Sequence, residues 1–239
     1  MFTGDYHTHT VFSDGKGTVS ENAVAAKAKG LREIAITDHG FNIPTMSFKK
    51  YLEAKDRCKE AEDSVGIRVI SGIEANLISL EGDIDIAESE LPAIDYLTVG
   101  FHKFAWFNGL KDFMKMYAVT YFNGLFETGE KAIERNTKAM IAAIDRYPVK
   151  VITHINHSLK VDVSAVAAAC ADRDVLIEIN GKHLRDLEGQ WDHLTRSGAR
   201  FIVNSDAHTP AEVGELSAPF EAALRHGIEK ERIVNYYGE

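Results

Sequence analysis

Histidines and acids in this chain gather at one kind of place. His7 and His9 close a β-rich run over Phe2–His9, Asp38 and His39 close Glu33–His39, and Glu74 stands at the end of Ile67–Ala75. His102 closes Tyr96–His102, His154 ends the apolar part of Lys150–Ile155, and Asp206 and His208 stand at the end of Arg200–Asp206. Side chains two apart on a strand share a face and lie about 6.6 Å apart, so His7 and His9 can point into one mouth and grip one metal or two neighbouring ones. Neutral imidazole and carboxylate are ligands preferred by zinc, manganese and iron. A carboxylate such as Glu74 has two oxygens and can bridge two ions. A lone His-x-His is a weak signal, and ordinary hydrogen bonding explains one or two histidines at strand ends. It does not explain why most of the ten histidines sit there. The rest look ordinary: His183, His193 and His226 fall in turns or helices and are expected to be solvated. His157 is ambiguous, and His154 is preferred over it as a ligand because it directly ends the apolar run.

The elements that must position these residues follow from the pattern between them. A seventh β-rich run, Val175–Asn180, completes the set. Several runs, such as VKVIT, VLIEI and RFIV, are nearly continuous apolar stretches, which is how strands buried on both faces of a parallel sheet read. Amphipathic stretches predict helices over Val19–Lys29, Phe48–Asp63, Lys131–Arg146, Val163–Asp172, Gln190–Ser197 and Ala211–His226, the first stopped by Gly30. Strand–helix alternation along the whole chain implies a parallel α/β fold. Seven strands suit a barrel, with a doubly wound open sheet as the alternative that periodicity cannot separate. Barrel active sites form at the carboxyl ends of the strands, where these coordinating groups fall.

The 239 residues, 45% hydrophobic and 26% charged, are enough for one large α/β barrel or two small domains. No apolar run approaches the roughly 18 residues needed to span a bilayer, and Met1 to His9 has no signal-peptide character. Cys58 and Cys170, the only two cysteines, are expected to be reduced thiols in a cytoplasmic protein. A net charge of −9 argues against an extended nucleic-acid surface. It does not exclude a phosphate site, because bound divalent metals reverse the local sign.

The segment DYHTHTVFSDGKGTVSENAVAAKAKGLREIAITDHG resembles the opening of the PHP family, named for polymerase and histidinol phosphatase. The resemblance continues through SGIEANL, LTVGFH, VITH, LIEING and NSDAHT, so it covers nearly the whole chain, and it is strongest to the small stand-alone PHP phosphatases. It implies a single domain over 1–239, a distorted seven-stranded (β/α)7 TIM-like barrel, with two to three divalent metals. Zinc is expected first, with manganese or iron as alternatives. Carried over by position, His7, His9, Glu74 and Asp206 would hold the first metal. Glu74, His102 and His154 would hold the second with Glu74 bridging, and Asp14, His39 and His208 the third. Asp14 departs from relatives that place a histidine nearby, which bears on the third site.

That resemblance implies a hydrolase of phosphate esters acting on a small phosphorylated substrate. Its nucleophile would be a hydroxide bridging the first two metals, with Glu74, Asp206 and His208 carrying the reaction. A metal-bound water or Asp206 is the candidate proton donor. Asp5 and Asp38 could orient ligand histidines, and Asp38 could instead cap the turn that follows it. Gly15 and Gly17 allow the tight Ser13–Thr18 turn that presents Asp14. Lys16 reads as solvated, while Lys103 and Lys182 are candidates for touching a substrate phosphate. A long aromatic excursion at about 103–130 follows a ligand directly and is expected to border the pocket and cover apolar surface, with Lys103 and Trp106 nearest the site. A homo-oligomer is compatible with that aromatic surface. The alternatives are an amidohydrolase on a related barrel, which would not need Asp14, His39 and His208 together, and a binding module holding metals for stability alone.

Overall fold

Seven strands line up in chain order, every neighbouring pair parallel. They are β1 (Gly4–Asp5), β2 (Glu33–Ile36), β3 (Arg68–Asn76), β4 (Tyr96–Gly100), β5 (Val151–Ile152), β6 (Leu176–Asn180) and β7 (Phe201–Asn204). The computed structural model describes residues 1–102 and 129–238. Among them six α-helices follow strands: α1 (Val19–Ala28), α2 (Phe48–Val65), α3 (Gly129–Arg146), α4 (Val163–Asp172), α5 (Trp191–Arg196) and α6 (Ser217–Arg225). No described helix is long and apolar enough to cross a membrane.

Sequential order leaves no switch point where strand order reverses, which removes the open doubly wound alternative. The ends of the sheet meet. Thr8 bridges Ala207 in parallel, with His9 N donating to Ala207 O at 2.8 Å and Ala207 N to His7 O at 3.3 Å. At the opposite end the buried Asn235 closes the same seam. Its Nδ2 donates to Gly4 O at 3.1 Å and Val203 O at 2.6 Å, while its Oδ1 accepts from Val203 N at 3.1 Å. The result is a nearly closed barrel.

Local chemistry sets the helix ends. Thr18 caps α1 through a capping box with Glu21, a device contributing about 1 kcal/mol. Asp162 caps α4 by accepting from Ala165 N at 3.2 Å, and Gly66, at φ 74°, ends α2 in the left-handed region. The stretch expected as one helix over Ala211–His226 is two elements. A 3-10 turn (Pro210–Glu212) stops before Gly214, at φ 77°, and α6 begins at Ser217.

The strands are shorter than their apolar runs because the residues beyond them pair with both neighbours in turn. Thr8 O accepts from Thr37 N at 2.9 Å on one side, while His7 and His9 pair with Ala207 on the other. His39 bridges Glu74 in the same way. Inside, Ile34, Ile73, Val99, Ile152, Ile177, Ile179 and Phe201 are fully buried, which fixes the rim that carries the polar side chains.

Candidate metal centre

Glu74, on β3, is fully buried, and its two oxygens have different surroundings. Oε1 accepts from Thr153 Oγ1 at 2.7 Å and lies 2.8 Å from His154 Nε2. Oε2 lies 3.2 Å from His7 Nε2, 3.5 Å from His9 Nε2, 3.2 Å from His39 Nδ1 and 3.4 Å from His102 Nε2. Yet among the described residues Oε2 accepts no hydrogen bond. Leaving a buried charged oxygen without a donor costs more than the roughly 1–3 kcal/mol of a neutral group. The surrounding spacing supplies a reason. Ligands bonded at about 2.0–2.2 Å in a tetrahedron stand about 3.3–3.6 Å apart, so this donor set fits divalent cations.

The other acids extend the same cluster. Asp206 Oδ1 lies 3.4 Å from His9 Nε2, 3.4 Å from His208 Nδ1 and 3.7 Å from His7 Nε2. Asp14 Oδ2 lies 3.3 Å from His39 Nε2 and 3.4 Å from His208 Nε2. The nine residues expected from the sequence as ligands therefore come together. Their ligand atoms converge in four overlapping sets: His7, His9 and Asp206; His7, Glu74 and His154; His39, Glu74 and His102; and His9, Asp14, His39 and His208. The cavity above them is about 450 Å³.

Backbone geometry is bent to this purpose. His154 at φ 27° and Asp206 at φ 57° occupy the left-handed region, which costs a non-glycine residue on the order of 1–3 kcal/mol. Both stand where a strand ends and its chain turns into the rim. Gly100 ends β4 because a Cβ there would press on Thr153 Oγ1 and come within 2.8 Å of His154 Cε1. Gly15 is required in the Ser13–Thr18 turn for a similar reason: its Cβ would lie 2.5 Å from the backbone of His9.

Around the candidate ligands lies a shell that the sequence did not reveal. Glu178 on β6 is fully buried. Its Oε1 accepts from His7 Nδ1 at 2.6 Å and Asn204 Nδ2 at 2.9 Å, and its Oε2 from His154 N at 2.7 Å and Asn180 Nδ2 at 2.9 Å. Its only signal was an acid inside the apolar run VLIEI, where an unpaired charge would be unstable. His102 Nδ1 donates to Asn76 Oδ1 at 2.5 Å, and Asn76 Nδ2 donates to Asp85 at 2.5 Å, which sets the amide orientation.

Charges in the cluster hold each other. Burial raises the Glu74 carboxyl, but the imidazoles of His7, His102 and His154 outweigh it and hold it well below the usual range. Burial opposes a proton on His7, yet Glu178, Glu74 and Asp206 hold its pKa well above the ordinary value. His39 is raised to about 10 by Asp14 and Glu74 against the same burial. Protons and divalent ions compete for these lone pairs.

Several expectations need correction. Asp5 makes no hydrogen bond to a ligand histidine; it accepts from Ser205 N at 3.2 Å and Gly214 N at 2.9 Å, tying β1 to the end of β7. Asp38 likewise makes no hydrogen bond to a candidate ligand histidine, and the turn it caps is not the one that follows it but the earlier Thr10–Ser13 turn. Asp38 accepts from Thr10 N at 2.8 Å and Thr10 Oγ1 at 2.6 Å, and from Ser13 Oγ, holding the turn that presents Asp14. His183 is not simply solvated: it lines the cavity, as does His157, and burial with His154 and His157 nearby pushes its pKa down to about 4. His193 is exposed, and His226 is exposed with its ring stacked on Trp191 at 4.5 Å. Lys16 is exposed. Lys182 stands at the rim with Nζ 2.9 Å from His208 Nδ1. Lys103 and Trp106 lie outside the described residues, as does the excursion as far as residue 128.

A family model described as the PHP domain matches residues 5–196. Proteins called probable phosphatase YcdX, from Shigella dysenteriae serotype 1 and from Escherichia coli O1:K1, are each 30% identical over 98% of this chain and 90% of their own length. Among solved structures, a histidinol phosphate phosphatase from Lactococcus lactis, crystallised with zinc, L-histidinol and phosphate, matches with a TM-score of 0.62 at 16% identity, covering 96% of this chain and 95% of that one. At that identity the likeness concerns the barrel.

Proposed function

This chain belongs to the PHP-domain family, and on that premise we propose that it is a metal-dependent phosphatase acting at the rim where β1 to β7 end. The observation that carries this reading is the Glu74 Oε2 atom, buried, without a hydrogen-bond donor among the described residues, and facing four imidazole nitrogens.

Two to three divalent ions fit, zinc first. His7, His9, Glu74 and Asp206 would hold one, Glu74, His102 and His154 a second, and Asp14, His39 and His208 a third. Glu74 belongs to two converging sets, which supports its place between two ions. When bound, such ions polarise phosphoryl oxygens and bring the pKa of water toward 7. The chain's own residues prepare the ground. Glu178 accepts a hydrogen bond from Nδ1 of His7 and Asn76 one from Nδ1 of His102, so each ring turns Nε2 toward the cavity, where a cation would replace any proton on it. Thr153 fixes one oxygen of Glu74 and leaves the other for ligation. Asp206 and His208 lie 3.4 Å apart through Oδ1 and Nδ1 at the cavity wall, where they can orient the phosphoryl group. Asp14, Glu74, Glu178 and Asp206 are offset at most by imidazole protons when no cation is bound, and bound cations would turn the local charge positive and favour a phosphate ester.

The test is hydrolysis of p-nitrophenyl phosphate and a panel of metabolite phosphomonoesters, with zinc and manganese content measured on the same sample. Turnover that chelation abolishes and metal restores is expected. Metal-replete protein that hydrolyses no phosphate ester rejects the reading.

A further inference from the structure

A fifth group of potential ligands stands apart from the centre described above. The four sets around Glu74 share members, whereas His157, His183 and Asp186 belong to none of them. One ligand atom from each lies within 4.8 Å of the others. Asp186 Oδ2 accepts from His157 Nδ1 at 2.7 Å and lies 3.4 Å from His183 Nδ1. The two imidazole rings are 3.8 Å apart between centroids. The spacing of Asp186 from His183 matches the roughly 3.3–3.6 Å expected between ligands of one tetrahedral cation, and the hydrogen bond from His157 holds its Nδ1 on the same carboxylate oxygen.

The three residues come from two neighbouring loops that the fold holds in place. His157 follows β5 between Asn156 and Ser158, both in the left-handed region at φ 68° and 57°. His183 and Asp186 follow β6, on either side of the start of a 3-10 turn (Leu184–Leu187). Asp186 N donates to His183 O at 3.0 Å, and Asn156 Nδ2 donates to Asp186 O at 3.1 Å, so the loops are already fastened beside the ligand atoms. All three side chains are partly exposed, between 25% and 31%, and both histidines line the cavity.

We propose that His157, His183 and Asp186 form a separate site for a zinc-type divalent cation, one that clamps the β5 loop to the β6 loop at the cavity wall. Two imidazoles and a carboxylate are a ligand set for such an ion, and three protein ligands leave a position open toward the cavity. The site meets the main centre through one imidazole, since His183 Nε2 lies 3.6 Å from Asp206 Oδ2. A cation here would place positive charge beside the substrate but off the reacting phosphorus, suited to a second anionic group. The cation site itself does not depend on the phosphatase reading, whereas its place beside a phosphoryl substrate rests on it.

Chelator-stripped full-length protein is dialysed to equilibrium against buffered free zinc, and bound metal is counted by mass spectrometry. The wild type is compared with His157→Gln, His183→Gln and the isosteric Asp186→Asn, with exposed His193→Ala as control. Each of the three variants should saturate one zinc equivalent below wild type, and His193→Ala should match it. Glu74→Gln should lose ions from the main centre yet lose a further one when combined with Asp186→Asn. An unchanged count in Asp186→Asn and both histidine variants overturns the site. So does a loss of two or more equivalents in Asp186→Asn, because the residues would then act through the main centre. A normal count in Glu74→Gln would instead strike at the phosphatase centre and leave this site standing.

Discussion

Glu178 Oε1 accepts a 2.6 Å hydrogen bond from His7 Nδ1, and this contact selects the tautomer in which His7 Nε2 faces Glu74 at 3.2 Å. The same carboxylate takes three further donors: Asn204 Nδ2, His154 N and Asn180 Nδ2. An amide cannot accept on both sides, since its NH2 would confront a donor. Glu178→Gln should therefore weaken zinc binding by about 10–100-fold while the protein still folds. Competition against a chromogenic chelator measures this, and wild-type affinity would remove Glu178 from any positioning role.

Glu74→Gln changes volume little and removes the charge that faces four imidazole nitrogens. Phosphatase turnover should fall by at least about 100-fold, and the saturating metal count should fall with it. Near-normal turnover would mean that Glu74 bridges nothing.

Stripping the metal should also lower the melting temperature. Glu74, Glu178 and Asp206 are buried together, and among the described residues imidazole protons are the positive charges that face them when no metal is bound. A ligand held at about 100 times its Kd adds about 2.7 kcal/mol to folding. Calorimetry with and without zinc reads the shift. Identical melting curves in both would place the ions outside the folded core of the site.

The strands were legible because burial on both faces writes an apolar run into sequence, and the helices because their apolar spacing is amphipathic and a glycine such as Gly30, at φ 76°, stops the first of them. Closure of the barrel was not legible in the periodicity and came only from the family resemblance. It rests on Thr8 pairing with Ala207 and on Asn235, single contacts between chain ends that leave no periodicity. The candidate ligand residues stood out because imidazole and carboxylate are rare at the ends of apolar runs. Glu178 did not, being inside such a run, and its partner His7 lies 171 positions away. His183 and Asp186 escaped because a strand-end rule stops at Asn180, whereas the following turn folds back over the cavity.

Cys58 and Cys170 are buried, and burial pushes both thiols up to about 12 from 9.0. The native protein should leave both unreactive toward a thiol reagent at mildly alkaline pH, and both should react after unfolding. The sign for stability follows. Between 9.0 and about 12 the folded thiols keep protons that the unfolded chain loses, so stability falls as pH rises through that window. Each thiol contributes up to about 1.4 kcal/mol per pH unit. Denaturant titrations of wild type and Cys170→Ala across this range should show a shallower alkaline decline in the variant. Parallel declines, or native thiols that react at once, would contradict the burial.

Gly100 tests whether the main centre depends on close backbone approach. Its φ is unremarkable, so alanine is acceptable to the backbone itself. What alanine adds is a Cβ that would sit 2.8 Å from His154 Cε1 and 3.2 Å from Glu74 Oε1, and would press on Thr153 Oγ1. Thr153 holds Glu74 Oε1, and His154 is already strained at φ 27°, so neither can yield without moving a proposed ligand. Displacing reacting groups by about 1 Å is enough to lower rates on the order of 100-fold. Gly100→Ala should therefore lose about 10–100-fold in kcat/KM, with a melting temperature close to wild type once metal is bound. The second ion, held by Glu74, His102 and His154 in this reading, should be the one released first on chelator titration. Unchanged kinetics and unchanged metal retention would show that the β4 end can relax, and that the spacing of His154 from Glu74 is not what the glycine protects.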